Sequence, residues 1–313
     1  MTDTAKAILE KYQVRKSRKQ KTAFIEHMTS FATRLGYDLK IEKGSLGARN
    51  IVIGEPDKAD VVFTAHYDTC AVMPVPNFIT PKNVSIYLLY QIMLVIGIFV
   101  VAGFLGVLLG SAASFIGLAK ELSAFISVLV VYGMLFLMIA GPANKHTVND
   151  NTSGVITLME IMEDMPLESR QKVAFVFFDL EEAGLFGSSG FASKHKKAMK
   201  NKLLINFDCV SDGENIIFAV RKKAKSFVPL IEGSYFGNEA CRTEVLTKGV
   251  FYPSDQMNFP CGVGVAALKR SKHFGILYMD RIHTKRDVIY REENIEFLKN
   301  ASLKLVNSIN KEI

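Results

Sequence analysis

The spacing of apolar positions changes several times along the chain, and each change marks an element. From residue 3 to residue 36 the apolar positions recur at intervals of three and four: Ile8, Leu9 and Tyr12, then Phe24, Ile25, Met28, Phe31 and Leu35. This predicts a helical segment closed by Gly36. Strand-like runs follow at 37–41, 50–53 and 61–65. The last is wholly apolar apart from one threonine and leads straight into His66 and Asp68. A buried parallel strand that delivers polar residues at its C-terminal end is the usual site geometry of an open α/β sheet. Beyond residue 145 the pattern predicts helices over 152–164, 188–200, 224–235 and 292–310. It predicts strands over 173–178, 203–207, 216–220, 243–247, 263–267 and 276–279. Strands alternating with helices give a three-layer α/β/α sandwich around a mostly parallel central sheet.

The stretch between these two parts is different. Residues 83–119 carry no charge, Lys120 and Glu121 interrupt, and residues 122–144 are again uncharged. Crossing a bilayer takes about 20 apolar residues, so spans are expected over 85–109 and 122–140. The chain then reads as 1–82 and 145–313 forming one α/β domain, interrupted by a transmembrane helical hairpin at 83–144. Gly103, Gly106 and Gly110, with Ala102, favour close approach of the two helices. Two spans return the chain to the side it left. Lys82 and Lys145 at the two bases place that side in the cytoplasm by the positive-inside tendency. An N-terminus without an apolar signal core fits the same compartment. So do four cysteines, Cys70, Cys209, Cys241 and Cys261, with no CxxC pair. About ten residues join the end of the hairpin to Asp150. At ~3.6 Å per residue, that residue lies within roughly 35 Å of the bilayer.

Composition alters this picture little. Of 313 residues 49% are hydrophobic and mean hydropathy is +0.18, but the excess sits in the block 84–140. The net charge of +7 raises nucleic-acid binding, yet no zinc-finger, helix-turn-helix or RNA-binding signature occurs. The basic clusters at 15–21, 194–202 and 221–225 are short, as solvated faces or contacts to anionic lipid are. A lipid bilayer is the expected partner, and nucleic acid is not.

Five nitrogen and oxygen donors stand at or near predicted strand ends: His66 in TAHYD, Asp150 in VNDNTSG, Glu182 in DLEEAG, Asp208 in NFDCVSDG and His283 in RIHTKRD. Each is a side chain that zinc accepts. Singly, a His or Asp after a strand is more often a cap or turn residue. Together they match what two cations ~3.5–4 Å apart require: one bridging carboxylate, then one His and one further carboxylate each. Adjacent Glu181 and Glu182 suggest two roles, one ligating and one free as a general base. Asp68, two residues after His66, is placed to fix that imidazole.

These segments together, His66-Tyr67-Asp68, NDNTSG, FDLEEAGLFGS, the strand-end Asp208 and IHTKRD, resemble metallopeptidase family 28, the co-catalytic two-zinc aminopeptidase family. That family also includes, more distantly, glutamate carboxypeptidases and glutaminyl cyclases. The resemblance spans nearly all of the chain outside the hairpin, which is its one departure from the family. It implies two zinc ions per chain, a position that cobalt or manganese also suits. Asp150 bridges them, His66 and Asp208 complete one site, and Glu182 and His283 complete the other. Glu181 is implied to be the base, Asp68 to orient His66, and the Asp150–Asn151 bond to be cis. The segment PSDQMNF, with Asp255 and Phe259, and nearby Tyr252 resemble the substrate-pocket loop. The function implied is hydrolysis of N-terminal residues from peptides, with membrane-proximal or hydrophobic substrates expected from the hairpin. The hairpin also offers an oligomer contact. Carboxypeptidase action (with Arg242, Lys269 or Arg270 for a substrate carboxylate), glutaminyl cyclisation and a non-catalytic scaffold are the alternatives.

Overall fold

The structure, a computed structural model, describes residues 1–117 and 121–309. The N-terminal helical pattern divides into two helices, α1 (Asp3–Lys11) and α2 (Arg18–Arg34). The break has a local cause. Ser17 Oγ accepts from the Gln20 amide while Gln20 Oε1 accepts from the Ser17 amide. This capping box starts a new helix whatever the apolar spacing on either side.

Strands β1 (Leu39–Lys43), β2 (Arg49–Ile53) and β3 (Val61–His66) precede two long apolar helices, α3 (Val84–Phe115) and α4 (Glu121–Ala140). Then come α5 (Gly154–Asp164), β4 (Val173–Phe178), α6 (Phe186–Lys194), β5 (Leu203–Phe207), β6 (Asn215–Val220), α7 (Val228–Ser234), β7 (Arg242–Leu246), β8 (Gly262–Arg270), β9 (Leu277–Tyr278) and α8 (Glu292–Ile309). The sheet runs β1-β2-β4-β3-β5-β8-β6-β7, with β9 on β8. Parallel pairing holds the centre, β4-β3-β5-β8, and recurs between β6 and β7. The β1–β2, β2–β4, β6–β8 and β8–β9 pairs are antiparallel. The expected mostly parallel sheet is therefore mixed. Its antiparallel members lie toward the margins, where a strand needs no crossover helix.

Period-two alternation divides the strands between two cores. Phe63, Phe175, Phe177, Ile205 and Phe207 face one core with residues of α1, α2, α5, α7 and α8. Val62, Val176, Phe178 and Leu204 face the other, with Phe191 of α6 and Phe259. The result is a three-layer sandwich.

The helices α3 and α4 leave this body. Large apolar side chains along them face outward, among them Phe99, Phe104, Val107, Tyr132 and Phe136. Among the described residues one helical stretch, Val84–Ala112, is long and apolar enough to cross a membrane; the apolar stretch of α4, Ala124–Ala140, is shorter. The expected tip at Lys120 lies outside the described residues. Along α3 the buried positions are Ala102, Gly106 and Gly110, every fourth residue. A Cβ on Gly106 would lie 1.6 Å from Ser127 Oγ, so the helices meet there. Gly103 has nothing within 4 Å of its Cβ direction and is not part of the seam. The segments that enter and leave the hairpin pair with each other, Ala71 with Ala143. They also pair with the loop that carries His283, through Met73 N to His283 O at 2.7 Å and Ile79 with Met279.

Candidate metal centre and active site

Three adjacent parallel strands deliver the cluster. His66 ends β3; Glu181 and Glu182 follow β4; Asp208 follows β5. Asp150 comes from the turn before α5, and side chains stitch this turn in place. Asn151 Nδ2 donates to Phe207 O (2.9 Å), and Asn151 Oδ1 accepts from the amides of Gly154 (3.0 Å) and Cys209 (3.2 Å). Asn149 Oδ1 accepts from the amides of Ser211 (2.7 Å) and Asp212 (2.9 Å). Asp287 accepts from the amides of Asn149 (2.7 Å) and Asp150 (3.0 Å). A Cβ on Gly154 would fall 2.3 Å from Phe207 O, so the turn seats against β5 only with glycine there. The Asp150–Asn151 bond is cis. His283 (φ 64°), Cys209 (φ 58°), Leu180 (φ 55°) and Leu185 (φ 61°) hold left-handed backbone around the site, a conformation non-glycine residues rarely adopt without a surrounding that fixes it.

The two oxygens of Asp150 face different histidines, Oδ1 at 3.3 Å from His66 Nε2 and Oδ2 at 3.1 Å from His283 Nε2. Asp208 Oδ1 lies 3.4 Å from His66 Nε2, and Glu182 Oε2 lies 3.3 Å from His283 Nε2. His66, Asp150 and Asp208 form one cation-competent group and Glu182 and His283 belong to a second. Glu182 Oε1 and Asp208 Oδ1 are buried without a hydrogen-bond partner. Buried carboxylate oxygens left unpaired are costly, and a cation bound in each group would relieve that cost. The donor set thus fits zinc. The Asp68 carboxylate accepts from the amides of Glu181 (3.0 Å) and Glu182 (3.3 Å). The His66 ring touches Asp68 through Nδ1 and the main-chain carbonyl at 3.1 Å, with the carboxylate at 3.7 Å. Asp68 accordingly positions the glutamate pair at least as directly as it positions His66.

Burial and mutual repulsion shape the titration. Burial, with Asp150 adding to it, pushes Glu182 up to about 8 against the pull of His283. Burial drives Glu181 well above the carboxylate range, opposed by His66 and reinforced by Glu182, Asp208 and Asp255. For His283, burial pulls down, but Glu182 and Asp150 outweigh it and leave it at about 9. Asp150 is buried too, yet its bonds to His283 and His66 win and hold it below its ordinary value.

A cavity of about 280 Å³ opens on this cluster, lined also by Asn77, Ile79, Leu185, Tyr252, Pro253 and Ile282. Tyr252 is on the wall, its hydroxyl donating to Asp208 O at 3.0 Å. Asp255 and Phe259 are not. Asp255 is fully buried with both oxygens unpartnered, close enough to Glu181 to raise its pKa. Phe259 stacks on Phe178 with centroids 5.8 Å apart in the core beneath α6. Phe259 is fully buried in that core and does not reach the cavity. Among the described residues no Lys or Arg lines the cavity. Lys269 pairs with Asp280 and Asp212 instead.

Two supporting residues were not singled out by sequence. Asp287 is one; burial and Asp150 push it up to about 8. Arg15 is the other, and it corrects the reading of 15–21 as a solvated face. Arg15 is fully buried. Its guanidinium donates to the carbonyls of Tyr12 and Tyr67 and lies 3.2 Å from Thr152 Oγ1, bracing the backbone between His66 and Asp68. Burial lowers its pKa to about 10 despite Asp68 and Asp150. Lys21 pairs with buried Asp179. Arg15→Ala leaves several buried acceptors unpaired, and a loss of about 3–5 kcal/mol is expected. Thermal unfolding should show this as a drop of roughly 10 °C; an unchanged midpoint would refute the bracing role.

The sandwich has a zinc-exopeptidase-like fold, with the carboxylate–histidine cluster at its strand ends. The chain belongs to peptidase family M28, whose model matches residues 135–305. No curated protein matches the sequence. Similar folds occur in the LapA aminopeptidase of Legionella pneumophila (11% identity, 98% of this chain and 70% of that one, TM-score 0.56). They occur also in glutaminyl cyclase of Porphyromonas gingivalis (15%, 99% and 98%, 0.56). A leucine aminopeptidase precursor of Bacteroides thetaiotaomicron is a third (13%, 97% and 94%, 0.56).

Proposed function

We propose that this chain is a membrane-anchored, two-zinc aminopeptidase. The observation that carries the reading is the Asp150 carboxylate turned to two histidines at once, 3.3 Å and 3.1 Å away, each with its own second carboxylate. His66 and Asp208 would hold one zinc, Glu182 and His283 the other, with Asp150 shared. Zinc there supplies Lewis acidity, polarising the scissile carbonyl and acidifying water. Glu181, which converges with His66 and Glu182 and makes no side-chain hydrogen bond among the described residues, accepts the proton of the attacking water and returns it to the leaving amine. Asp68 keeps Glu181 and Glu182 in register through their amides.

A cavity walled by carboxylates suits a cationic peptide N-terminus, and its lack of Lys or Arg disfavours a substrate carboxylate. Glutaminyl cyclisation is favoured less, because both halves of a two-cation donor set are in place and the chain has no tryptophan. The α3–α4 hairpin is read as two spans, the shorter apolar stretch of α4 being near the lower limit of about 17 residues. Phe78, Tyr90 and Tyr278 cluster at the start of α3, as do Tyr87 and Phe251, which suits the aromatic belt of an interface. Lys82 and Lys145 favour a cytoplasmic body, and peptides presented near the bilayer are the proposed substrates.

The test is amino-acid release from matched peptides with free and N-acetylated termini, with and without chelator, by detergent-purified protein. Release from free termini alone, abolished by chelation, is expected. Release from the acetylated peptides, or pyroglutamate formation in place of release, would replace the aminopeptidase reading.

A further inference from the structure

We infer that Cys70 is an additional metal donor, its sulfur joining Glu182 and His283 around the second cation; this rests on the two-zinc reading above. Cys70 Sγ, a carboxylate oxygen of Glu182 and a ring nitrogen of His283 all lie within 4.8 Å of one another. Around zinc, with sulfur at ~2.3 Å and nitrogen or oxygen at ~2.0–2.1 Å, tetrahedral edges are ~3.3–3.6 Å. A small contraction therefore converts the group into a ligand shell.

Three further observations favour ligation over packing. All four cysteines are buried, and Cys209, Cys241 and Cys261 sit in hydrophobic clusters; Cys70 belongs to none of those clusters among the described residues. Glu182, a member of that group, has its Oε1 buried with no hydrogen-bond partner. Finally, one residue ties sulfur and histidine together. The Asn144 amide donates to Cys70 O (3.1 Å), Asn144 Nδ2 donates to Thr284 O beside His283 (3.0 Å), and the same Nδ2 lies 3.8 Å from Cys70 Sγ. Outer hydrogen bonds that fix ligand orientation are a regular feature of metal sites.

The step is simple: Sγ–H releases its proton to solvent as the sulfur–metal bond forms. The result is an unequal pair of sites, one with nitrogen and oxygen donors and one that also carries sulfur, which favours zinc, cobalt or cadmium over manganese.

The full chain in detergent, stripped and reloaded with Co²⁺ alone, reads this out independently of activity. A sulfur-to-cobalt charge-transfer band in the near ultraviolet is expected. It should vanish in Cys70→Ser and persist in Cys209→Ser, whose thiol neighbours Asp208. Cys70→Ser should also bind one of its two cobalt ions on the order of 10-fold more weakly or worse. Two cobalt ions per chain without the band, or a band that survives Cys70→Ser, would overturn the assignment of Cys70 and leave the two-metal reading standing. Failure to bind cobalt at all would overturn both.

Discussion

Glu181→Gln is expected to lower kcat by about 10²–10⁴ while metal content and thermal stability hold. The reason is positional. His66, Asp150, Glu182, Asp208 and His283 form a chain of close histidine–carboxylate pairs, while Glu181 converges on His66 and Glu182 without joining those pairs. Its backbone is fixed by Asp68, so the amide variant should keep its place. Gln cannot accept the proton of the attacking water, but it carries no charge and relieves repulsion with Glu182, Asp208 and Asp255. The expected signature is therefore a kcat loss with KM within a few-fold and an unfolding midpoint unchanged or higher. Loss of metal along with activity would mean that Glu181 is a ligand, not the base. Retention of activity would remove it from the mechanism.

The candidate donors were legible because each closes a strand or opens a turn, where the change from apolar to polar is abrupt. VVFTAH and VAFVFFDLEE announce buried strands by composition, and the residues that follow can only be at their ends. Two features were hidden for different reasons. The break between α1 and α2 preserves apolar spacing on both sides, so periodicity runs through it; the signal was local, in Ser17 and Gln20. Arg15 was hidden by its neighbours: in a run with Lys16, Arg18, Lys19 and Lys21 nothing marks the one that turns inward. Its burial is decided by carbonyls of Tyr12 and Tyr67 that lie 3 and 52 residues away. Phe259 was misplaced for the converse reason, since an aromatic in a pocket loop and one in the core have the same sequence. Pairing at the sheet margins was likewise out of reach, because β6 and β8 are matched across more than forty residues and their relative direction depends on the path between them.

The helical hairpin and the candidate metal centre are joined at their roots. The segment after Asp68 pairs with Pro142 and Ala143 on leaving the hairpin and with His283 and Met279 across the cavity. A displacement of α3 and α4 would therefore be felt first by the Cys70 and His283 side of the site, while His66 and Asp208 remain tied to β3 and β5.

Metal removal should cost stability, and the cost should grow with pH. Without cations, burial and repulsion raise Glu182 to about 8, Asp255 to about 7 and Asp287 to about 8, and the carboxylates around His283 raise it to about 9. All four lie above their ordinary values, so between the two limits the native form binds more protons than the unfolded chain. Their stabilising contribution is complete below the ordinary carboxylate or imidazole pKa and is lost as pH rises through the native values. The metal-free protein should consequently lose stability from pH 5.5 to pH 9. Cation binding displaces those protons, so affinity rises over the same interval. At zinc a thousandfold above Kd the gain is about 4 kcal/mol, or roughly 10 °C for a domain of this size. Melting curves at pH 5.5, 7 and 8.5 with zinc and with chelator should show a gap that widens at each step. A gap that narrows with pH would mean that the cluster does not release protons to a cation, and a gap absent at every pH would remove the metal centre itself.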